Sequence, residues 1–459
     1  MTSKNKDVII IGAGLCGSLL ALRLAQRGCK VRVYEKRSDP RTSELYSGRS
    51  INLAFSNRGN KAMKLVGLEN KVIPLCIPMK GRLIHDKLGN TIQSNYSGNA
   101  NEFINSISRK DLNILLINEA ENHPNVSFHF NISCTTVDFE SKIVHLKDSS
   151  KVYTVNASVI FAADGAGSIL RKSYEACNTF NFKCTQEFLS HGYKELSILA
   201  TKSGTYKISK DVLHIWPRKD FMLIALPNLD GSFTVTLFLS HDNGVNNFTL
   251  LKNEKSVLDF FKNEFPDTLE IMPNLAHDFF ENPTSNLGTI KCEPWNYKGN
   301  SLLIGDAAHA IVPFYGQGMN ASFEDVVELD KIIDQFDFNW ELIFEKFNET
   351  RKKDTDAIAD LAIDNFHEMK EHVADPKFQI KRQIEMALEK QFPNEYASKY
   401  SLVTFNENIG YDEAMNKGRL QDKLLLEYIE NNKVKEPFKL EAILEFLKLE
   451  TNSIKIHTN

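Results

Sequence analysis

The run Asp7-Val-Ile-Ile-Ile11 is short, apolar and β-branched, the pattern of a strand buried on both faces. A glycine turn follows. Residues 18–27 then carry Leu19, Leu20, Leu22 and Leu24 at helical spacing until Gly28. Residues 30–35 alternate as a second strand, and strand, helix and strand in this order predict a right-handed parallel crossover. A further helix is predicted over 109–122, where Leu112, Leu115, Leu116 and Ala120 share a face. Short strands are expected near 126–130, 151–155 and 157–163.

From about 180 to 290 the period changes. The runs Met222-Leu-Ile-Ala-Leu226 and Phe233-Thr-Val-Thr-Leu-Phe238, joined by Pro227-Asn-Leu-Asp-Gly231, predict an antiparallel sheet with a turn. The α/β pattern returns near 300, where Leu302-Leu-Ile304 leads into Gly305-Asp306. Beyond about 345 the chain reads as helical and rich in Lys and Glu, with a last amphipathic stripe of Leu440, Ile443, Leu444 and Leu447. The pattern predicts α/β parts around a β-rich insertion, closed by a helical region.

Composition narrows the function. Lys and Arg number 55 against 59 Asp and Glu, so a net charge of −4 gives no basic surplus for nucleic acid. The cysteines Cys16, Cys29, Cys76, Cys134, Cys177, Cys184 and Cys292 form no CxxC pair, which predicts free thiols in a reducing compartment. The start of the chain reads straight into a strand with no apolar leader. No stretch approaches the roughly 18 apolar residues of a spanning helix. The expectation is a soluble, cytoplasmic protein acting on small molecules, with no membrane anchor.

Gly12-Ala-Gly14-Leu15-Cys-Gly17 stands directly between the first strand and helix. In such a turn Gly12 permits the tight bend, Gly14 leaves room for a pyrophosphate, and Gly17 lets helix and strand approach. The helix N-terminus presents free N–H groups to phosphate charge. Glu35, 23 positions after Gly12, ends the second strand, where a carboxylate suits adenosine ribose hydroxyls. This motif by itself leaves NAD and FAD open.

Two later segments separate them. Phe161-Ala-Ala-Asp164-Gly165-Ala-Gly-Ser168-Ile-Leu-Arg171 resembles the Asp-Gly motif of flavin-dependent aromatic hydroxylases. Gly305-Asp306-Ala-Ala-His309-Ala-Ile-Val-Pro313 resembles the Gly-Asp motif of that family, whose aspartate contacts the flavin ribityl chain. Pro313-Phe-Tyr-Gly316-Gln317-Gly318-Met319-Asn320 then opens a helix, expected over 321–329, whose N-terminus favours negative charge on an isoalloxazine. The joint pattern points to FAD. His309 has no second ligand at useful spacing and is expected to be a structural histidine bonded to backbone near the flavin.

Further stretches resemble the kynurenine-hydroxylating branch of the same family. They are Gly48-Arg-Ser-Ile-Asn-Leu-Ala54, Pro78-Met-Lys-Gly-Arg82-Leu-Ile-His85, Ile107-Ser-Arg109-Lys-Asp-Leu-Asn113, Gly305 through Asp325, Asn365-Phe-His-Glu-Met369 and Tyr400-Ser-Leu-Val-Thr-Phe405. Eukaryotic members carry a membrane-anchoring tail, whereas this chain ends in a charged amphipathic segment, like the soluble bacterial type.

The resemblance implies an aromatic-hydroxylase fold. A Rossmann-like FAD-binding domain is expected in parts 1–75, 106–178 and 291–345, a substrate-site segment at 76–105, a β-rich substrate domain at 179–290 and a helical region at 346–459. It implies that Arg82, Tyr96, Asn365 and Tyr400 hold the substrate carboxylate. Leu213, Met222, Ile224, Leu226, Phe238, Pro313, Phe314 and Met369 would line the aromatic ring. Cofactor contacts would come from Gly12, Gly14, Leu15, Gly17, Glu35, Lys36, Arg37, Ala54, Arg109, Asp164, Asp306, Gly318, Met319 and Asn320.

The implied activity is hydroxylation of L-kynurenine to 3-hydroxy-L-kynurenine with O2 through a C4a-hydroperoxyflavin. The resemblance also implies NADPH as transient co-substrate, a role in kynurenine catabolism or NAD biosynthesis, and a monomer or homodimer. No side chain is expected to act as nucleophile, and no metal is expected. The alternatives are a flavin hydroxylase of another aromatic acid and a flavin-binding regulator without turnover.

Overall fold

In the computed structural model, which describes residues 6–42, 52–177, 180–368 and 376–457, Asp7–Ile11 lies in the middle of a six-stranded sheet. Lys30–Tyr34 pairs with it in parallel on one side and Val159–Ala162 on the other. Val126–His129 extends the sheet beyond Lys30–Tyr34, and Ser301–Leu303 extends it in parallel beyond Val159–Ala162. Strand order therefore reverses at Asp7–Ile11, which is where open α/β sheets place their ligand crevice. Gly12, Asp164 and Gly305 follow the carboxyl ends of three neighbouring strands, so the topology gathers the predicted motifs along one sheet edge.

The chain divides into two units. The first, formed by Met1–Cys76, Ile107–Phe188 and Leu287–Ala359, contains this sheet. Its helix Leu15–Gln26 begins ahead of the leucine spacing, because Gly17 is itself in the first turn. A Cβ on Gly17 would stand 2.0 Å from the Gly12 carbonyl oxygen, so only glycine allows that contact. Helix Arg109–Glu121 starts where the Ser108 hydroxyl accepts the Asp111 N–H. The helix expected over 321–329 runs farther at both ends, as Gly318–Phe336. Ser133–Asp138 and Ile143–Lys147 are strands that the hydrophobic period does not announce. They form a separate antiparallel sheet with Val152–Asn156.

The second unit is formed by Ile77–Ser106, Leu189–Asn286 and Asp360–Asn459. Phe221–Pro227 and Phe233–Ser240 pair antiparallel, with Met222 opposite Phe238, around a turn in which Gly231 takes φ +88°. Val212–Arg218 pairs with Phe221–Pro227, and Gly81–His85 runs parallel beside it in a seven-stranded sheet. One face carries Trp216, Leu223, Ala225, Val235, Leu237 and Leu239, packed against Phe260, Phe261, Phe265 and Phe279. On that face His85 bridges Asp267 at 3.0 Å and His214 at 2.9 Å, while Trp216 donates to the same Asp267 oxygen at 2.8 Å.

Helices Pro376–Gln391, Tyr411–Asn432 and Leu440–His457 share a core of Ile384, Leu388, Leu424, Leu425, Ile443, Leu444 and Leu447. Among the described residues no helix is long and apolar enough to cross a membrane.

Because Leu237 is fully buried in the helix-covered face, Leu237→Ala is expected to lower unfolding free energy by about 2–5 kcal/mol. Urea unfolding followed by circular dichroism checks this, and an unchanged midpoint would contradict the packing described.

Candidate functional site

In the first unit the glycine turn is fastened from several sides. Glu35 accepts the Ala13 N–H through one carboxylate oxygen and the Arg37 N–H through the other, both at 2.9 Å. Asn113 donates to the Ala13 carbonyl at 3.0 Å. Gly12 takes φ +103°, and a Cβ there would lie 2.4 Å from the Ala163 carbonyl oxygen. A Cβ on Gly14, by contrast, would meet nothing within 4 Å, so the turn is open where a phosphate approaches. Leu15 is buried in the first helical turn, while Lys36 and Arg37 are exposed.

Asp164 accepts the Ile169 N–H at 2.7 Å through one oxygen. Its other oxygen is buried with no partner among the described residues, and so is the side-chain oxygen of Asn113. Burial, the largest influence, pushes the Asp164 carboxyl above its usual range. Unsatisfied acceptors at this edge suit the hydroxyl donors of a ribose or ribityl chain, and the residues therefore fit FAD. Asp306 is exposed at the start of Asp306–His309, and Arg109 is exposed at the start of Arg109–Glu121.

Asn320 is fully buried and spends its amide on protein. It accepts the Ser56 N–H at 3.1 Å and donates to the Ala54 and Gly316 carbonyls at 2.8 and 3.0 Å. It thus fastens Ala54 beside the turn that opens Gly318–Phe336, the helix that also carries Met319.

Beneath the Gly-Asp turn lies a buried charge network that no sequence motif assigns. Asp325 accepts the Gly305 N–H at 3.0 Å and meets His309 Nε2 at 2.6 Å. Arg351 binds the other Asp325 oxygen at 3.0 Å and reaches Glu324 at 3.1 Å, and Glu324 in turn pairs with Arg58 at 2.7 Å. Burial alone would raise the Asp325 carboxyl, but the charges of His309 and Arg351 hold it below its ordinary 3.8. The expectation for His309 is corrected here: its ring nitrogen engages a carboxylate rather than backbone, because the imidazole is buried beside Asp325. Asp325 closes the resembling stretch that begins at Gly305, and this was its only signal in the sequence.

In the second unit, strand register puts Arg82 opposite Leu213 and Met222 opposite Phe238. Alternation then sets Arg82, Leu213, Met222, Ile224, Leu226 and Phe238 on one sheet face, away from the Trp216 core. The Arg82 guanidinium stands 4.5 Å from the Tyr400 ring centroid and 5.3 Å from that of Tyr96. The two rings stack at 5.7 Å with an interplanar angle of 9°.

Tyr96 is 1% exposed, and its hydroxyl interacts with the Arg82 guanidinium without closing a well-aligned hydrogen bond to any described residue. Burial pushes its phenol upward, reinforced by Tyr400 and opposed by Arg82. A cation beside a buried hydroxyl with hydrogen-bonding capacity to spare can receive a carboxylate. Asn365 is buried near the end of Trp340–His367. Its neighbour Phe366 packs on His191 and lines a small cavity with Met222 and Phe238. Pro313 and Phe314 belong to the first unit, in the turn before Gly316. Met369 and residues 48–51 lie outside the described residues.

This fold and motif set define an FAD-binding flavoprotein of aromatic-hydroxylase type. The family model described as "FAD binding domain" matches residues 5–336. The kynurenine 3-monooxygenase of Dictyostelium discoideum is 44% identical over 93% of this chain and 94% of its own. That of Flavobacterium johnsoniae is 45% identical over 92% and 95%. The chain belongs to the kynurenine 3-monooxygenase family. Among solved structures, the tetrameric form of 2-methyl-3-hydroxypyridine-5-carboxylic acid oxygenase superposes with a TM-score of 0.66 at 19% identity, covering 86% of this chain and 99% of that one. At that identity it speaks for the fold alone.

A carboxyl depressed in the folded state contributes stability above its unfolded value and loses it as pH falls through the folded one. Burial raises both carboxyls, but His309 and Arg351 depress Asp325 and the bonds from His85 and Trp216 depress Asp267, so flavin retention and stability are expected to hold down to about pH 4 and fail below it. Asp325→Asn leaves Arg351 without one of its buried partners. It is expected to lower unfolding free energy by about 3–5 kcal/mol at neutral pH and to shrink that acid limb. Urea unfolding and flavin absorbance after dialysis test both, and an unchanged midpoint would contradict the network.

Proposed function

We propose that the protein is an NADPH-dependent flavin monooxygenase that hydroxylates L-kynurenine at ring position 3, with Arg82, Tyr96 and Tyr400 receiving the substrate carboxylate. The observation that carries the site assignment is the Arg82 guanidinium over two stacked phenols, one of them buried with hydrogen-bonding capacity to spare. Asn365 completes this polar end in the same reading. Met222, Ile224, Leu226, Phe238 and Leu213 supply an apolar face for the aromatic ring.

Residues 1–75, 106–178 and 291–345 hold FAD, while 76–105 and 179–290 carry the ring site and 346–459 the helical part. The cofactor contacts are Gly12, Gly14, Leu15, Gly17, Glu35, Lys36, Arg37, Ala54, Arg109, Asp164, Asp306, Gly318, Met319 and Asn320. Among the described residues no cysteine forms a disulfide, which suits a cytoplasmic enzyme, acting as monomer or homodimer.

FAD, when bound, supplies the oxygen-activating chemistry, with NADPH as the transient source of reducing equivalents. The chain's own residues bind, orient and dry the substrate. Arg82 fixes the carboxylate by charge, and the phenols fix its direction. The apolar face excludes water, which protects a reactive oxygen donor from wasteful decay to peroxide. The anilino nitrogen of kynurenine enriches the ring carbon beside it, so holding that carbon in one place is what selectivity requires.

NADPH oxidation by the FAD-loaded protein is expected to rise on adding L-kynurenine and to yield 3-hydroxykynurenine by chromatography. No stimulation would remove the kynurenine assignment. Arg82→Ala is expected to weaken L-kynurenine binding about thirtyfold, the equivalent of about 2 kcal/mol, with flavin absorbance unchanged. Unaltered affinity would overturn the role of Arg82.

A further inference from the structure

Resting on the reading that Arg82, Tyr96 and Tyr400 receive a carboxylate, we propose that Glu389 is a positioning residue for that receptor. It sets the separation of the two phenols by binding the backbone of both segments that carry them.

Glu389 lies on helix Pro376–Gln391 and is 3% exposed. One of its oxygens accepts the Gly98 N–H at 2.9 Å, two residues after Tyr96. The other accepts the Ser398 N–H at 2.9 Å and the Ser401 hydroxyl at 2.6 Å. Ser398 caps helix Lys399–Thr404, whose second residue is Tyr400. A single side chain therefore ties the segment of one phenol to the cap of the other.

The backbone at Gly98 is pressed on the same helix. A Cβ there would lie 2.2 Å from the Met386 carbonyl oxygen and 2.7 Å from the Lys390 nitrogen. Two turns toward the helix N-terminus, Arg382 donates to the carbonyls of Tyr96 at 2.7 Å and Asn95 at 3.1 Å. The segment 95–98 is thus gripped at two carbonyls by Arg382 and at an N–H by Glu389.

The chemistry demands a carboxylate. Three donors converge on Glu389 from two directions, and an ionised group with two acceptor oxygens satisfies them all. In Glu389→Gln the amide NH2 would face a donor on one side, either the Gly98 N–H or the Ser398 and Ser401 pair. The ring pair would then lose its fixed register under Arg82. Ring binding on the sheet face uses none of these bonds, so the defect should be confined to ligands that carry the amino-acid end.

The test titrates FAD-loaded wild type, Glu389→Gln and Ser401→Ala with L-kynurenine and with 2-aminoacetophenone, read by flavin absorbance and fluorescence. The second ligand has the aniline ring and ketone without the carboxylate. Glu389→Gln is expected to weaken L-kynurenine about tenfold, the scale of losing one charge-assisted hydrogen bond, and to leave 2-aminoacetophenone within about twofold. Ser401→Ala keeps both backbone bonds and should show the same selectivity at a smaller loss, about two- to threefold. It carries the test if Glu389→Gln does not fold.

Parallel weakening of both ligands, or no weakening of L-kynurenine, would overturn the positioning role. Wild type that binds the two ligands equally would overturn the carboxylate receptor itself, which the wild-type titrations reveal before any variant is compared.

Discussion

The fully buried carboxylate of Asp325 is the constraint on which the cofactor half depends. It holds the N–H of Gly305, the ring of His309 and the guanidinium of Arg351 at once, and Arg351 carries the charge on to Glu324 and thence to Arg58. Buried ion pairs are a poor source of net stability, since desolvation offsets most of their attraction. Their geometry is demanding, however, and that is what a loop presenting Asp306 at a sheet edge requires. Gly305 takes φ +62°, a turn open to a residue without Cβ, and the network below fixes where its N–H points.

Around this anchor, side chains of the first unit tie off the backbone of its loops. Glu35, Asn113 and Asn320 close the backbone of the glycine turn and of the segment through Ala54. Asp164 and Asn113 each keep one buried oxygen unsatisfied. The second unit works in the same way at another site, where the buried Tyr96 hydroxyl keeps hydrogen-bonding capacity to spare beside Arg82 while its own backbone is held by Arg382. In both places these atoms offer hydrogen bonds that the described residues do not complete.

Much of this is legible in the amino-acid order. The β-branched run at 7–11, the alternation at 222–226 and 233–238 and the stripe through Leu440, Ile443, Leu444 and Leu447 each report burial on a regular period, and each forms the expected element. Local period is silent where burial is partial and polar residues alternate with few apolar ones, as in Ser133–Asp138 and Ile143–Lys147. It is silent as well on pairings between residues far apart in the chain. Nothing in the spacing of Asp325 and Arg351, or of Gly98, Glu389 and Ser398, announces a contact; the fold makes it. For the same reason the spacing around His309 suggests a backbone partner, when its partner is a carboxylate brought by the next long helix.

The proposed reaction places one oxygen atom of O2 in the ring of L-kynurenine. Turnover with NADPH under isotopically heavy O2, followed by mass spectrometry of the product, tests it most directly. The expected product is 3-hydroxykynurenine carrying one heavy oxygen atom in the new hydroxyl group. Product with only ordinary oxygen, or heavy hydrogen peroxide with unreacted L-kynurenine, would contradict it.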